Sequence, residues 1–378
     1  MARTMLVIGN GFDLKCGLES SFAQYLDSDY YKSSSDKVKK TFEYVREELN
    51  GTGQHVDNHR QLYDLFEDNE ISFWDYYFAI PHIFKFSNIV LWHDFETKLH
   101  TLINNARHWT SLLGGSGEYY DISSADWKNS MAIISTINEM KVVRNCILHE
   151  YMRHFGIEFN DAAFGLMKEL KEFEKKFGNY IAEQQSVNKD YATKAESLIN
   201  TLLGKDHQLA YVSTFNYSDI KCIAPSNCDI WHVNGNTDRP IFGIDLSEST
   251  PASSKWYSFT KTYRRLELEG NAEFLPQNKE YTRVVVFGHS LTEQDYSFFY
   301  ALFNRLNLSD SRRLKNGTTI EFMYSGYEGK PADEARHDTI ENVLKLLQSY
   351  NKDVLDEKNF HLMDILYCNG ILRVVEVP

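Results

Sequence analysis

The sequence predicts an α/β protein with a Rossmann-like parallel sheet and a large all-helical insertion after the first strand. Three observations support this fold class. A short apolar run at 5–8 is followed directly by Gly9-Asn10-Gly11, residues 20–206 show helical periodicity, and apolar runs of strand length recur after residue 207. Several of these later runs are continuously apolar, which is typical of parallel strands covered on both faces.

Helical spacing dominates the segment that follows the first strand. Val38, Phe42, Val45 and Leu49 recur at i, i+4, i+7 and i+11, and glycines follow at 51 and 53. Similar patterns predict helices near 91–102, 166–180 and 198–203. We therefore expect residues 20–206 to form a helical insertion domain.

The remaining strands are predicted after residue 207. They lie at 210–214, 230–233, 241–244, 284–287, 320–324 and 371–375, with helices at 295–306 and 333–347. The predicted Rossmann-like domain thus comprises residues 1–19 plus 207–378. Its first strand joins the others across nearly 190 residues, which costs little extra entropy because the cost of loop closure grows only logarithmically with length.

Composition excludes several classes of protein. A net charge of −13 disfavours a nucleic-acid partner, because affinity for a phosphate backbone comes largely from Lys and Arg. The five cysteines are scattered and include no CxxC pair, so the sequence predicts neither a disulfide framework nor a metal site. No apolar run approaches 18 residues, so we expect no membrane partner and a cytoplasmic location.

The turn at 9–13 is a candidate nucleotide-binding loop. Gly9, Asn10 and Gly11 follow a strand directly, where glycines allow close approach of a ligand and turn amides can face phosphate. Phe12 and Asp13 complete the turn, and Asp13 could bind a ribose or cap the next segment. The third glycine of a dinucleotide fingerprint is missing, so glycines that merely avoid a clash remain the alternative.

Polar residues follow two later strands. Asn216 lies just beyond the strand at 210–214, where its amide could orient a ribose hydroxyl or a water, or serve only as a turn residue. His232 and Asn234 are two residues apart, so on a strand they would share one face. Histidine is the natural general base near neutral pH, although a lone strand histidine is more often structural.

The loop after the strand at 284–287 is the fourth candidate. Gly288 and Ser290 resemble part of a nucleophile elbow, but Thr292 occupies the position of the final glycine. A ligand-binding loop before a helix is the better interpretation, with Ser290 touching phosphate or ribose and Asp295 in the first turn of the helix.

Together these loops resemble the AbiH family of bacterial phage abortive-infection proteins. The resemblance rests on short segments in a fixed order: VIGNGFDL at 7–14, WHDFE at 92–96, STFNYSD at 213–219, HVNG at 232–235, FGID at 242–245 and FGHSLTEQD at 287–295. The family itself looks like a distant relative of sirtuin-like NAD-cleaving defence proteins. That resemblance implies a sirtuin-like Rossmann fold and hydrolysis of NAD⁺ as a substrate.

The resemblance also implies roles for individual residues. Asn216 matches the asparagine that positions ribose and water, whereas the place of the catalytic histidine before glycine is taken here by Asn234. His232 would then act as the base from a position two residues earlier. Gly9, Asn10 and Gly11 would cradle the pyrophosphate, with Gly288, Ser290 and Asp295 supporting the ribose.

An NAD⁺-depleting enzyme must stay silent until infection. The helical insertion is the expected place for that control, through a phage-protein trigger or through homo-oligomer contacts. Two alternatives to an NAD⁺ hydrolase stay open: a nucleotide-binding sensor without turnover, and a hydrolase that acts on another nucleotide or on nucleic acid.

Overall fold

In a computed structural model of the protein, the described residues are 2–49, 71–83, 99, 159–205, 207–221, 223–225, 228–245, 255–268, 275, 281–308, 318–327, 329–355 and 362–377. They contain six β-strands, and all six belong to one sheet. The strands are β1 Ala2–Ile8, β2 His207–Thr214, β3 Asp229–His232, β4 Arg283–Phe287, β5 Thr319–Tyr324 and β6 Leu372–Glu376.

The sheet is parallel throughout, with the order β3-β2-β1-β4-β5-β6. This confirms the predicted Rossmann-like α/β fold. Strands β2 and β3 lie on one side of β1, and β4, β5 and β6 lie on the other. The strand order therefore reverses between β1 and β4. In open sheets of this kind, ligands bind at such a switch point, beyond the carboxyl ends of the strands.

The described helices are α1 Asn10–Lys15, α2 Phe22–Asp27, α3 Lys32–Leu49, α4 Phe73–Ile83, α5 Phe159–Val187, α6 Tyr191–Leu203, α7 Lys261–Leu266, α8 Tyr296–Arg305, α9 Ala332–Asp353 and α10 Leu362–Cys368. Short 3₁₀ helices lie at Lys255–Phe259 and Glu293–Asp295. The helices predicted around 38–49, 166–180, 198–203, 295–306 and 333–347 are confirmed.

Alternate residues of β1 belong to two separate cores, one on each face of the sheet. Met5 and Val7 belong to the core that contains side chains of α8, α9 and α10. Leu6 and Ile8 point the other way, into a core built with α1 and α6. This period of two explains why the apolar run of β1 is continuous: both of its faces are covered.

Two strand predictions differ from the structure. Residues 241–244 form no strand; Ile244 makes one isolated bridge to Thr260, and the run is apolar because Ile241, Phe242 and Ile244 are buried. Strand β3 also ends at His232, one residue earlier than predicted. An apolar run reports burial, and burial does not by itself require pairing with a neighbouring strand.

The contacts divide the chain into two compact units. The first, the sheet unit, comprises Met1–Ser20, Gly178–Ser247 and Thr260–Pro378, and the second comprises Ser21–Phe177 and Glu248–Phe259. In the second unit an aromatic cluster surrounds Phe22, whose ring lies 5.9 Å from those of Phe78 and Phe173. The domain limits predicted from the sequence, with an insertion at 20–206, stay a prediction.

Every regular element described between β1 and β2 is a helix, α1 to α6. The predicted helix at 91–102 and its carboxylate Glu96 lie outside the described residues, apart from Leu99, so the all-helical insertion also stays a prediction. Within the described part of the chain, no helix has both the length and the apolar character needed to cross a membrane.

Candidate functional site

The loops after β1 and β4 touch backbone to backbone at the switch point of the sheet. The amide of Gly9 donates to the carbonyl of Phe287 at 3.1 Å, and the amide of Gly11 donates to the carbonyl of Gly288 at 2.8 Å. A Cβ on Gly288 would lie 2.4 Å from the backbone nitrogen of Phe12, and one on Gly9 or Gly11 would lie 2.7 Å from the β4 loop. Glycine is required here because the two loops are in direct contact.

This contact changes the meaning of the glycine turn. The two glycine amides already have partners, so they are not free to hold phosphate, and the alternative of avoiding a clash accounts for both glycines. The Phe12 side chain is fully buried in the core. Asn10 is half-buried and its Oδ1 accepts a hydrogen bond from the hydroxyl of Ser20 at 2.6 Å. Ligand binding by this turn stays a prediction.

Asp13 is buried behind the turn and does not cap a helix. The N-cap of α1 is Gly9, which makes no side-chain cap, and Asp13 is only 1% exposed. Its Oδ1 accepts a hydrogen bond from the hydroxyl of Tyr191 at 2.7 Å. Burial raises the pKa of Asp13 to about 6, and the nearby polar side chains of Ser218, Tyr191 and Asn216 limit that rise.

Asn216 is the described residue whose surroundings point most directly to a ligand. Its side chain is 4% exposed, yet neither Nδ2 nor Oδ1 has a hydrogen-bond partner of normal geometry in the described structure. The amide lies close enough to Asp13 to lower the pKa of that carboxyl. Because buried polar groups are normally paired, two unpaired atoms on one buried carboxamide are unusual for a residue with a structural role.

His232 lies next to Asn216 at the end of β3. Its Nδ1 lies 3.1 Å from the backbone carbonyl of Asn216, and because a carbonyl can only accept, Nδ1 carries the proton. Nε2 is therefore the nitrogen with a lone pair. Burial lowers the pKa of His232, and the hydrogen bond to Asn216 partly offsets this. The ring is thus neutral at pH 7 and can accept a proton through Nε2.

Asn234 has a different environment from the one the sequence predicted. Because β3 ends at His232, the alternation of a strand does not extend to Asn234, and the expectation that both side chains share one strand face is wrong. Oδ1 of Asn234 accepts a hydrogen bond from the guanidinium of Arg265 at 3.1 Å, while Nε of Arg265 donates to the carbonyl of Val233. The catalytic role predicted for Asn234 stays untested, and this contact gives it a structural one.

Asp295 belongs to a buried ionic cluster. Its Oδ1 lies 2.6 Å from Nζ of Lys261, and its Oδ2 lies 3.4 Å from Nε2 of His289. Burial alone would raise the pKa of Asp295, but Lys261 and His289 outweigh it and hold that pKa well below its usual range. The amide of Leu291 donates to Nδ1 of His289, so both ring nitrogens are used. The cluster anchors the loop that carries Gly288 and Ser290.

Ser290 is the exposed residue of the β4 loop. Its backbone carbonyl accepts a hydrogen bond from the Asn342 side chain at 3.2 Å, and its side chain is open to solvent. Gly288, two residues earlier, is half-buried against the turn after β1. Of the three residues predicted to contact ligand from this loop, Ser290 is therefore the one with a free path to it.

Sequence reasoning missed Tyr191, Ser218, Lys261 and Arg265. Ser218 stands inside the STFNYSD segment, two residues after Asn216, and that spacing is the one signal that could have found it. Tyr191 begins helix α6, and Lys261 and Arg265 lie on the short helix α7. Nothing in their local sequence distinguishes these three from ordinary helix residues.

The chain was compared with known proteins and structures. A family model for bacteriophage abortive infection proteins, AbiH, matches residues 5–315. That range covers most of the chain and contains every candidate residue above. The chain belongs to the AbiH family. No curated protein and no solved structure gave a significant match.

Membership of the AbiH family places the protein in anti-phage abortive infection. The AbiH match begins within β1 and spans the turns after β1, β2, β3 and β4. The motifs at 7–14, 213–219, 232–235 and 287–295 therefore lie at the carboxyl ends of strands of one sheet. Among the described residues of this AbiH protein, no three His, Cys, Asp or Glu side chains are grouped to hold a metal ion.

Proposed function

We propose that this AbiH protein binds NAD⁺ at the carboxyl edge of its sheet and, when triggered, hydrolyses it to nicotinamide and ADP-ribose. The observation that carries the proposal is the buried Asn216 carboxamide with both polar atoms unpaired. A carboxamide offers both a donor and an acceptor, which suits ribose hydroxyls or an attacking water. The switch point of a β3-β2-β1-β4-β5-β6 sheet is the usual place for a dinucleotide.

His232 is the proposed proton acceptor. In the reaction the bond between the ribose C1′ and the nicotinamide nitrogen breaks, and the electron pair leaves with nicotinamide, which neutralises its charge. The water oxygen bonds to C1′, and the proton it loses goes to Nε2 of His232. The hydrogen bond from Nδ1 to the carbonyl of Asn216 fixes the ring in the tautomer that this step needs.

The phosphate contacts proposed from the sequence are revised. Gly9 and Gly11 use their amides within the protein, and Asp295 is paired with Lys261. Asn10, in the turn after β1, is half-buried, and Ser290, in the loop after β4, is exposed. We assign pyrophosphate contacts to these two, with no dependence on a glycine cradle.

A nucleotide-binding sensor without turnover is the second candidate. The observation that favours it is the state of Asn234, which replaces the histidine expected before glycine and is held by Arg265. In that case Asn216 would bind ribose but no water would be activated. Control by a phage protein or by homo-oligomer contacts belongs to either candidate.

The test measures release of nicotinamide from NAD⁺ by the purified full-length protein, with NAD⁺ binding measured separately by calorimetry. Asn216→Ala and His232→Ala should each lower the rate by about 100-fold or more, the usual size of an acid–base contribution. The matched controls Asn200→Ala and His337→Ala, at exposed helix positions, should leave the rate unchanged.

Because activity can require a phage trigger, the same variants should be compared in infected cells. NAD⁺ should fall on infection in cells with the wild-type protein and stay level with Asn216→Ala. Protection from phage without a fall in NAD⁺ would exclude the hydrolase. NAD⁺ binding that depends on Asn216 would then identify the sensor, and no binding would reject both candidates.

A further inference from the structure

Behind Asn216 lies a small buried network that the proposed reaction does not use directly. Asp13, Tyr191 and Ser218 meet there, and each is at least nine-tenths buried. The Tyr191 hydroxyl donates to Oδ1 of Asp13 at 2.7 Å and lies 3.3 Å from Oγ of Ser218. These residues come from α1, α6 and the loop after β2, so the network joins three separate elements beneath the candidate site.

The charge state of Asp13 determines what it can do to Asn216. A carboxylate only accepts hydrogen bonds, so it attracts the Nδ2 hydrogens of the nearby carboxamide and repels Oδ1. This preference directs Oδ1 of Asn216 away from Asp13. A protonated Asp13 can donate instead, which removes the preference between the two orientations of the carboxamide.

Tyr191 and Ser218 favour the carboxylate form. The Tyr191 hydroxyl donates to Asp13 and the Ser218 hydroxyl lies beside it, and each of them lowers the pKa of the carboxyl against the effect of burial. A tyrosine without its hydroxyl would fill nearly the same space and give no such support. The network is therefore more than packing: its two hydroxyls stabilise the form of Asp13 that orients Asn216.

We infer that Tyr191 and Ser218 are positioning residues, which hold Asp13 as a hydrogen-bond acceptor and thereby orient the Asn216 carboxamide for its ligand. The inference rests on the proposed role of Asn216 in binding ribose or water. It assigns to Asp13 the task of orienting Asn216 from behind, in place of direct contact with ribose.

Other titratable groups near Asp13 do not change charge near neutral pH. Burial raises the pKa of the Cys16 thiol to about 12 and raises that of Tyr191 well above its usual value. Lys15 and Lys194 lie near Cys16 and lower the pKa of its thiol, against the larger effect of burial. Of the described groups acting on this network, Asp13 is thus the one with a pKa near 6, whereas burial lowers the pKa of the neighbouring His232.

The experiment follows the side-chain amide resonance of Asn216 by NMR in the full-length protein labelled with ¹⁵N-asparagine, without any ligand. Loss of one resonance in Asn216→Ala assigns it. In the wild type it should shift with pH with a midpoint near 6, the value for Asp13. Tyr191→Phe should move the midpoint up by about one pH unit, since a hydrogen bond to a charged group is worth that much.

Three further variants make the result specific. Asp13→Asn should abolish the transition, and His232→Gln should retain it. Tyr350→Phe is the matched control, because it removes another buried tyrosine hydroxyl, the donor to Oδ1 of Asn304, and it should not move the midpoint. A transition that is absent from the wild type, or that survives Asp13→Asn, overturns the inference.

The positioning network and the proposed NAD⁺ hydrolysis can fail independently of each other. An Asn216 resonance that follows Asp13 in a protein that never binds or cleaves NAD⁺ would refute the nucleotide while leaving the positioning network in place. Turnover of NAD⁺ with an Asn216 resonance unaffected by Tyr191→Phe would refute the network alone. Where turnover is observed, Tyr191→Phe should also move the acid limb of the rate upward in pH, and Ser218→Ala should do the same.

Discussion

The two halves of the carboxyl edge of the sheet differ in how their polar groups are used. At the β1–β4 side, backbone amides, Asp295 and His289 are all paired within the protein. At the β2–β3 side, the buried Asn216 carboxamide is unpaired and Nε2 of His232 retains a lone pair. The glycine-rich motif, the strongest local signal in the sequence, therefore holds two loops together. The candidate catalytic groups are Asn216 and His232, which no glycine-rich motif marks.

If the β1–β4 side is structural, then breaking its ionic cluster should cost the most stability. Lys261→Met leaves the Asp295 carboxylate buried without its cation and should lower the free energy of unfolding by about 3 to 5 kcal/mol. Urea unfolding checks this. The double variant Lys261→Met/Asp295→Leu should recover much of the loss, and a single variant as stable as the wild type would contradict the assignment.

The glycine contact should have the next largest effect. Gly288→Ala places a Cβ 2.4 Å from the backbone nitrogen of Phe12, at a residue with φ of 69°. We expect a loss of about 3 kcal/mol from overpacking and from the unfavourable φ. Gly204→Ala is the matched control, since its φ is 73° and no atom lies within 4 Å of the added Cβ; it should lose about 1 kcal/mol.

Asp13 lies between the two halves and gives a prediction on pH. Its pKa is about 6 in the folded protein, above the 3.8 of an ordinary aspartate, so its contribution to stability is complete below about pH 4 and is lost as the pH rises through 6. The unfolding free energy of the wild type should therefore fall by about 2 kcal/mol relative to that of Asp13→Asn between pH 4 and pH 7. A constant difference across that range would contradict the burial of a charged Asp13.

The smallest expected effect is the difference in stability between alanine variants of two buried asparagines, Asn234 and Asn216. Asn234→Ala removes the acceptor for Arg265 and should cost about 1 to 2 kcal/mol. Asn216→Ala removes a carboxamide whose polar atoms make no hydrogen bond of normal geometry, so it should leave stability within about 0.5 kcal/mol of the wild type. Thermal unfolding of both variants measures the contrast; an Asn216 variant that loses as much as the Asn234 variant would show that Asn216 is structural.

The local sequence pattern was sufficient to predict where the strands and turns lie, but it was insufficient to predict which apolar runs pair with a neighbouring strand. Apolar runs predicted each strand of the sheet to within a few residues, because a strand that is buried on both faces has a nearly continuous apolar sequence. The same signal misassigned 241–244, where the apolar side chains are buried without a neighbouring strand. The turns after β1, β2, β3 and β4 were found because glycine, asparagine and histidine stand out immediately after apolar runs.

By itself the sequence determined the fold class and, to within a few residues, the positions of the six strands of the sheet. Through its ordered motifs it also determined membership of the AbiH family. Only the tertiary structure decided which of the candidate site residues already have hydrogen-bond or ionic partners within the protein. Gly11 meets Gly288, Asp13 meets Tyr191, and Asp295 meets Lys261 across 277, 178 and 34 positions of the chain. Local periodicity records whether a residue is buried, but the partner of a buried polar group depends on which distant element the fold brings beside it.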